Sequence, residues 1–472
     1  MTANEEVQHQ AGELVQQAGV PGPADPLPEE PKSELGYARR LVSVYGDRLR
    51  YVPAWRRWLV WDGQRWAHDG TGQAARWMKS IARRVTSDAI AEENEKKRQA
   101  AISLARRGES SSGVSGALTL AGTEEGIVVT PDDLDADPFL LNCRNGVLDL
   151  RTGQLGPHDP ALLLTKMTGA AYDPEAPGAE FAKFLERVQP DEAMRSFLAR
   201  LLGHALEGRV VSHLLPIFHG AGANGKSTLL EAVAAALGDY AGPADPELLT
   251  ARTFDAHPTG VADLCGLRLA ILHESDAGRR LAEGTVKRLT GGDRIKARRM
   301  REDFWSFEPS HTFVMASNHK PIVTGQDEGI WRRLRLVPWD VVIPPEERDE
   351  ELAHKLALEL DAVLGWLAAG YADWHEHGLS DPEQVVKATS SFRAESDALG
   401  RFLDACCLVG SHYNVGSSDL FAAWSKWCAA EGADPGTQTA FATALQNKGL
   451  DSRKVHGRMR WTGVGLATEG DE

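Results

Sequence analysis

The sequence predicts an α/β fold: a P-loop domain with a parallel sheet, preceded by a mixed α+β domain and followed by a winged-helix-like domain. Three observations predict it. An apolar run, Leu214–Phe218, leads into GAGANGKST at Gly220–Thr228 and then into the helix-forming Leu229–Leu237. Two further apolar segments, Leu267–Leu272 and Thr312–Ala316, each stop at polar residues. Near the C-terminus, two helical patterns precede a basic strand pair.

Strand, glycine-rich turn, Lys-Ser and helix together are the context in which G-x-x-x-x-G-K-[ST] binds phosphate. Gly220, Gly222 and Gly225 let the backbone bend so that N–H groups converge, with Ala221, Ala223 and Asn224 between them. The helix starting near Lys226 adds its positive end. Lys226 is expected to reach the β- and γ-phosphates of ATP, with Ser227 helping to hold Mg²⁺, and Thr228 is counted in the same nucleotide-binding stretch. The alternative is a glycine turn before a core helix.

The totals bound what the site serves. A length of 472 residues allows two to four domains. A hydrophobic content of 42% with 25% charged residues describes a globular chain, and no apolar run is long enough to cross a bilayer, so no membrane partner is expected. The five cysteines, Cys143, Cys265, Cys406, Cys407 and Cys428, form no C-x-x-C pair, which points away from a zinc knuckle and toward a reducing cytoplasm. Lys and Arg number 52 against 67 Asp and Glu, a net −15, which argues against nucleic acid coating the whole surface.

Residues 1–34 carry seven acids, one base and five prolines, and read as a disordered acidic tail. A mixed α+β domain is expected over 35–178. There Trp55, Trp58, Trp61 and Trp66 surround the Asp62-Gly63 turn, as a small β-core or as a stacking platform beside Arg56, Arg57 and Arg65. Residues 73–107 read as helix, with basic patches at Arg83-Arg84 and Lys96–Arg98, and Glu109–Gly113 as a flexible link. Leu140–Leu150 followed by Arg151-Thr152-Gly153 reads as two strands around Asn145-Gly146, and helical spacing returns over 179–207.

Past the loop, the strand at Leu267–Leu272 runs into His273-Glu274-Ser275-Asp276. Glu274 is the candidate for polarising the attacking water and contacting the metal through water, with Asp276 second. Seven bases stand against one acid over 287–301: Lys287, Arg288, Arg294, Lys296, Arg298, Arg299 and Arg301 against Asp293. Gly291-Gly292-Asp293 and the alternation after it predict a basic hairpin that contacts a phosphate backbone, the alternative being a solvated loop. The third strand ends in Ser317-Asn318, where a polar residue would sense the γ-phosphate or position the water. Among Arg332, Arg333 and Arg335, one arginine is expected to reach a neighbouring subunit's nucleotide, the alternative for each being a structural ion pair. Residues 349–375 read as helices and 380–391 as a linker. Then come helices at 418–431 and 437–448 and the strand pair carrying Arg453, Lys454, Arg458 and Arg460, a winged-helix pattern that faces DNA or protein.

Assembled, these residues resemble the superfamily 3 helicases, specifically the phage/plasmid-type primase-helicase family that also includes the poxvirus primase-helicase. GAGANGKST, the strand ending at Glu274, VKRLTGGDRIKARR from Val286, FVMASNHKP from Phe313 and WRRLRLVPW from Trp331 carry the likeness. Upstream, LNCRNGVLDLRTG resembles a stretch of the domain preceding the ATPase, and the likeness covers about residues 35–345. It implies an AAA+-like sheet over 179–345, a helical extension over 346–399 and a DNA-facing domain over 400–472. It also implies Gly220, Gly225, Lys226 and Ser227 as Walker A, Glu274 as Walker B, Asn318 as the sensor, and Lys287 leading into the DNA hairpin at Arg294–Arg301. Arg332 or Arg333 would be the arginine finger. Where many members have two adjacent Walker B acids, this chain has Glu274-Ser275-Asp276. The expectation is an ATP- and Mg²⁺-dependent replicative helicase of a phage or mobile element, working in the bacterial host cytoplasm. It would form a hexameric ring on single-stranded or forked DNA, with a separate primase or polymerase as partner. The alternatives are a bifunctional primase-helicase and an ATP-switched origin-binding initiator.

Overall fold

Near-continuous apolar runs such as LPIFH, LAILHE and TFVMAS are what strands buried on both faces look like. The computed structural model, which describes residues 27–251, 258–274, 278–298, 303–431 and 433–467, gathers these runs into one sheet. Its strands are β1 (Leu215–His219), β2 (Ala241–Pro243), β3 (Leu269–Glu274), β4 (Thr312–Ser317) and β5 (Leu334–Pro338). All pair in parallel, in the order β5-β1-β4-β3-β2. All six residues of β4, at the centre, are buried. The register sets Ser317 beside both His219 and Glu274, and Pro338 on the other flank of His219. Four strands therefore end on one line.

Helices cover both faces, which is how a parallel sheet keeps its backbone dry. One face packs the helices Ala179–Val188, Glu192–Gly203, Lys226–Leu237 and Leu360–His377, through Phe184, Phe197, Leu230, Val233 and Leu367. The other face holds Leu289, Ile295, Ile330, Trp331 and Phe392. The first core also takes in Leu141, Cys143, Leu148 and Leu150, so the boundary expected at 178/179 falls inside one core. Those residues lie on the strands Leu140–Cys143 and Gly146–Asp149, the expected hairpin, joined by a third strand at Gln154–Gly156.

The N-terminal unit has its own core, built by the helices Glu34–Tyr45, Gln73–Ile90, Glu95–Gly108 and Ser111–Ala121 with a three-stranded sheet over 49–68. Three expectations change here. The helix expected over 73–107 is two helices, the second capped by Asn94, whose side chain accepts from Lys97 N at 3.1 Å. The link expected at 109–113 is a helix start, with Ser110 Oγ accepting from Gly113 N at 3.0 Å. Serines beside a glycine read as flexible, yet the same residues are preferred N-caps. Residues 27–33 do not belong to a free tail: Leu27 packs on the core, and Arg40 donates to Pro31 O at 3.0 Å and to Glu30 O. Residues 1–26 lie outside the described residues.

At the other end, the expected linker over 380–391 is largely a helix, Glu383–Ser396, laid along the edge strand β5. Leu336 N donates to Thr389 Oγ1 at 3.0 Å, and Phe392 meets Trp331 edge-on at 5.3 Å between ring centres. Val385, Thr389 and Phe392 recur at helical spacing inside a polar stretch, a pattern the composition hid. The C-terminal unit runs helix 398–406, strand 407–416, helix 417–431, helix 438–447, and strands 451–455 and 458–466, with the last strand central. His456 and Gly457, both at positive φ, make the tight turn of the basic strand pair.

Candidate active site and strand-contact surfaces

The loop after β1 is shaped by close backbone approaches. At Gly220 a Cβ would run into the carbonyl oxygen of Trp339, so glycine is required there for packing. Gly225 has φ 84° and a Cβ there would sit 2.6 Å from Val188 Cγ1, so it is required on both counts. Gly222 meets nothing within 4 Å. The segment after β5 straps the loop in place: Trp339 N donates to His219 O and Ile343 N to Ala223 O, both at 2.8 Å. Asn224, buried, donates through Nδ2 to Trp339 O at 3.0 Å.

Lys226, the first residue of the following helix, turns its ammonium back into this loop. Nζ lies 2.8 Å from Gly220 O, 3.0 Å from Asn224 Oδ1, 3.4 Å from Ala221 O and 3.3 Å from Asn318 Oδ1. Every one of these partners is a neutral oxygen. The residue is 5% exposed, and burial pushes its pKa down. A desolvated cation held by neutral dipoles favours an incoming anion. Ala221, Gly222, Ala223 and Ser227 line the open side of the loop and are exposed.

The strand register brings the other candidates to the same edge. Glu274 is the last residue of β3, level with Ser317, and Asn318 follows β4 directly. Ser317 Oγ donates to His319 O at 2.6 Å, fixing the turn that aims Asn318 at Lys226. Asp276 lies outside the described residues. Beside the loop opens a cavity of 330 Å³ lined by Phe184, Lys183, Thr228, Ile343 and Leu352, which no local motif announced because its walls come from distant segments.

The three arginines after Asn318 separate. Arg333 is buried: Nε donates to Thr290 Oγ1 at 3.1 Å and Nη1 to Gly329 O at 2.6 Å, while Nη2 lies 3.4 Å from His213 Nδ1. Burial also pushes its pKa down. The Arg333 guanidinium therefore faces inward, onto Thr290 and Gly329. Arg335 pairs with Asp381 at 2.5 Å. Arg332 is exposed.

The basic cluster forms the expected hairpin, Ile295–Ala297 against Trp305–Phe307. Ile295 and Ala297 are buried, whereas Lys296 and Arg298 point outward. Lys296 Nζ sits 4.7 Å and Arg298 Cζ 4.9 Å from the ring centre of Phe304, itself 52% exposed. Arg299 and Arg301 lie outside the described residues. Arg294 donates to Ser306 O at 3.3 Å and faces Asp132 and Glu308. Lys287 is engaged elsewhere: Nζ lies 2.7 Å from Asp327 Oδ1, and this hydrogen bond holds the Asp327 carboxyl below its usual range. On the C-terminal strand pair Arg453, Lys454 and Arg458 are exposed, whereas Arg460 Nε donates to Asn414 Oδ1 at 2.8 Å.

Residues 38–190 match a family described as D5 N terminal like, and residues 218–333 a family of unknown function, DUF5906. The chain is 28% identical over 320 residues to "Putative helicase L207/L206" of Acanthamoeba polyphaga mimivirus, a match covering 62% of this chain and 33% of that protein. It is 25% identical over 324 residues to "Putative primase C962R" of African swine fever virus (strain Badajoz 1971 Vero-adapted), covering 62% of this chain and 34% of that one. Against "Putative helicase 121R" of Invertebrate iridescent virus 3 the identity is 22% over 333 residues, covering 63% and 35%. The chain thus spans about a third of the length of these curated relatives. Among solved structures, the apo form of the NrS-1 C-terminal region shares the fold, with a TM-score of 0.51 at 12% identity, covering 92% of this chain and 100% of that one.

Proposed function

From the likeness to D5-type proteins and to viral proteins named as helicases and primases, we propose that this chain is an ATP-dependent DNA helicase of the superfamily 3 kind. The observation that carries it is the ammonium of Lys226, buried among neutral oxygens at the open mouth of a glycine loop, with Asn318 from a different strand 3.3 Å away. The donor set fits ATP with Mg²⁺: a phosphate-sized loop, the Ser227 hydroxyl at its open side, and Glu274 at the aligned strand end. Magnesium, when bound, would shield the phosphate charge.

In this reading Lys226 and the loop N–H groups bind the β- and γ-phosphates, and the 330 Å³ cavity beside Thr228 houses the nucleoside. Glu274 orients and polarises a water, and Asn318 holds it in line with the γ-phosphate. Moving Asn318 loosens its contact with Lys226, which gives the strand end a way to register hydrolysis. Arg332 reaches the γ-phosphate of a neighbouring subunit, so each site is completed by assembly into a ring, a hexamer by family likeness. The hairpin's Lys296, Arg298 and Phe304 grip a single strand.

Strand separation on a forked duplex with ATP tests the proposal. The chain is expected to unwind, and Lys226→Ala is expected to lose unwinding while still binding DNA; equal unwinding by the variant overturns it. The relatives named as primases favour a second reading, that the chain also serves primer synthesis. Ribonucleotide incorporation on a single-stranded template decides that point.

A further inference from the structure

The N-terminal unit carries a cationic and aromatic surface that the proposed reaction does not use. Its four clustered tryptophans divide in the fold. Trp66 is fully buried and donates through Nε1 to Pro160 O at 2.9 Å. Trp61 packs on it at 5.7 Å, and Trp58 packs on Tyr51 at 4.9 Å. Trp55 is 41% exposed, in a turn whose residues 53–57 all face solvent. The turn is held by Trp55 N donating to Val52 O and Arg56 N to Pro53 O, each at 3.1 Å, with Arg56 at φ 52°. It is a built turn that presents an indole between proline and two arginines.

A basic helix face adjoins it. Trp58 O accepts from Asp69 N at 3.0 Å, and the Asp69 carboxylate accepts from Gln73 N at 2.6 Å and Ala74 N at 2.9 Å. These bonds fix the start of the Gln73–Ile90 helix beside the turn. Met78, Ile81, Ala82 and Val85 fill the core, while Arg76, Lys79 and Arg83 are exposed at i, i+3 and i+7. Among the described residues, Arg76 donates to neutral oxygens, those of Thr71 and Gln73. The three span about 10 Å along the axis, enough to follow more than one phosphate. Residues 35–134 hold 16 Lys and Arg against 12 Asp and Glu, a net of +4 in a chain whose total is −15.

We propose that Trp55, Arg56, Arg57, Arg76, Lys79 and Arg83 form a second binding surface for single-stranded nucleic acid. The Trp55 indole stacks on an unpaired base and the cations lie along the backbone. An exposed ring at the tip of a turn selects a single strand, because bases in a duplex hide their faces in the stack. The surface holds its strand without ATP and independently of the hairpin.

The test uses the full chain without nucleotide, carrying Lys296→Ala and Arg298→Ala to remove the hairpin contact, and a fluorescent oligothymidine read by anisotropy. Binding is expected to persist in this background and to fall about tenfold with Trp55→Ala, while Trp55→Phe retains most of it. Lys79→Ala with Arg83→Ala is expected to flatten the slope of log K against log[salt] by about 1.4. Duplex of the same length should not respond to Trp55→Ala. The melting temperature of Trp55→Ala should match that of its parent, since the side chain is exposed. Absence of binding in the hairpin-deficient background overturns the proposal. So does unchanged affinity on Trp55→Ala, or loss of self-association with DNA binding intact, which assigns the surface to protein.

Discussion

Lys226 and Gly220 define the site together, because the lysine's shortest contact is with the carbonyl of that glycine. The motif makes its glycines look equivalent, whereas packing separates them: Gly220 sits against Trp339 O and Gly222 is open. Gly220→Ala is therefore expected to weaken ATP binding at least tenfold, while Gly222→Ala leaves the melting temperature unchanged; calorimetric titration and thermal melts check the pair. Arg333 was not legible as a buried anchor, because three neighbouring arginines carry no local mark of which one faces inward. Its partners Thr290 and His213 come from other elements. Nor does the sequence single out His311, buried just before the start of β4, with Nε2 on Leu289 O and its pKa lowered to about 4 by burial. The unfolded chain binds this proton near pH 6.5, so its contribution is complete above that value and is lost as pH falls toward about 4. The loss is roughly 3 kcal/mol. Denaturant titrations across that window should show the decline, and His311→Gln should flatten it.

At the scale of elements, the alternation Arg294–Arg298 was enough to foretell the hairpin, since two-residue periodicity with buried Ile295 and Ala297 is a strand signature. The pairing of Lys287 with Asp327, 40 residues on, was not, because that distance closes only in the tertiary fold. The two observations give opposite expectations for neighbouring cations. Lys296→Ala with Arg298→Ala should weaken single-strand binding and flatten its salt dependence by about 1.4. Lys287→Ala should leave that slope unchanged and cost less than about 1 kcal/mol of stability, as befits a half-exposed ion pair. Salt titrations of DNA affinity, with melts alongside, separate the roles. The helix over 383–396 shows the complementary failure of reading: a polar composition concealed a regular apolar spacing that seals the edge of β5.

At the scale of the whole molecule, the parallel sheet was legible from its apolar runs, but its strand order was not. Insertion of β4 between β1 and β3 places Asn318 against Lys226 and sets Glu274 one strand further out. The division into cores was also hidden, because Leu141 to Leu150 join the sheet's core from a segment that reads as a separate hairpin. In the proposed function each site takes Arg332 from a neighbour, and that makes a prediction about mixtures. Lys226→Ala and Arg332→Ala chains, each inactive alone, should regain ATP turnover when combined, at up to about a quarter of the interfaces in a random ring. No recovery would place Arg332 outside the neighbouring site. The central claim is that the Lys226 loop hydrolyses ATP in response to a single strand. Steady-state ATP hydrolysis with and without single-stranded DNA measures it: the account predicts turnover that rises with DNA and vanishes in Lys226→Ala, whereas equal turnover by that variant would contradict it.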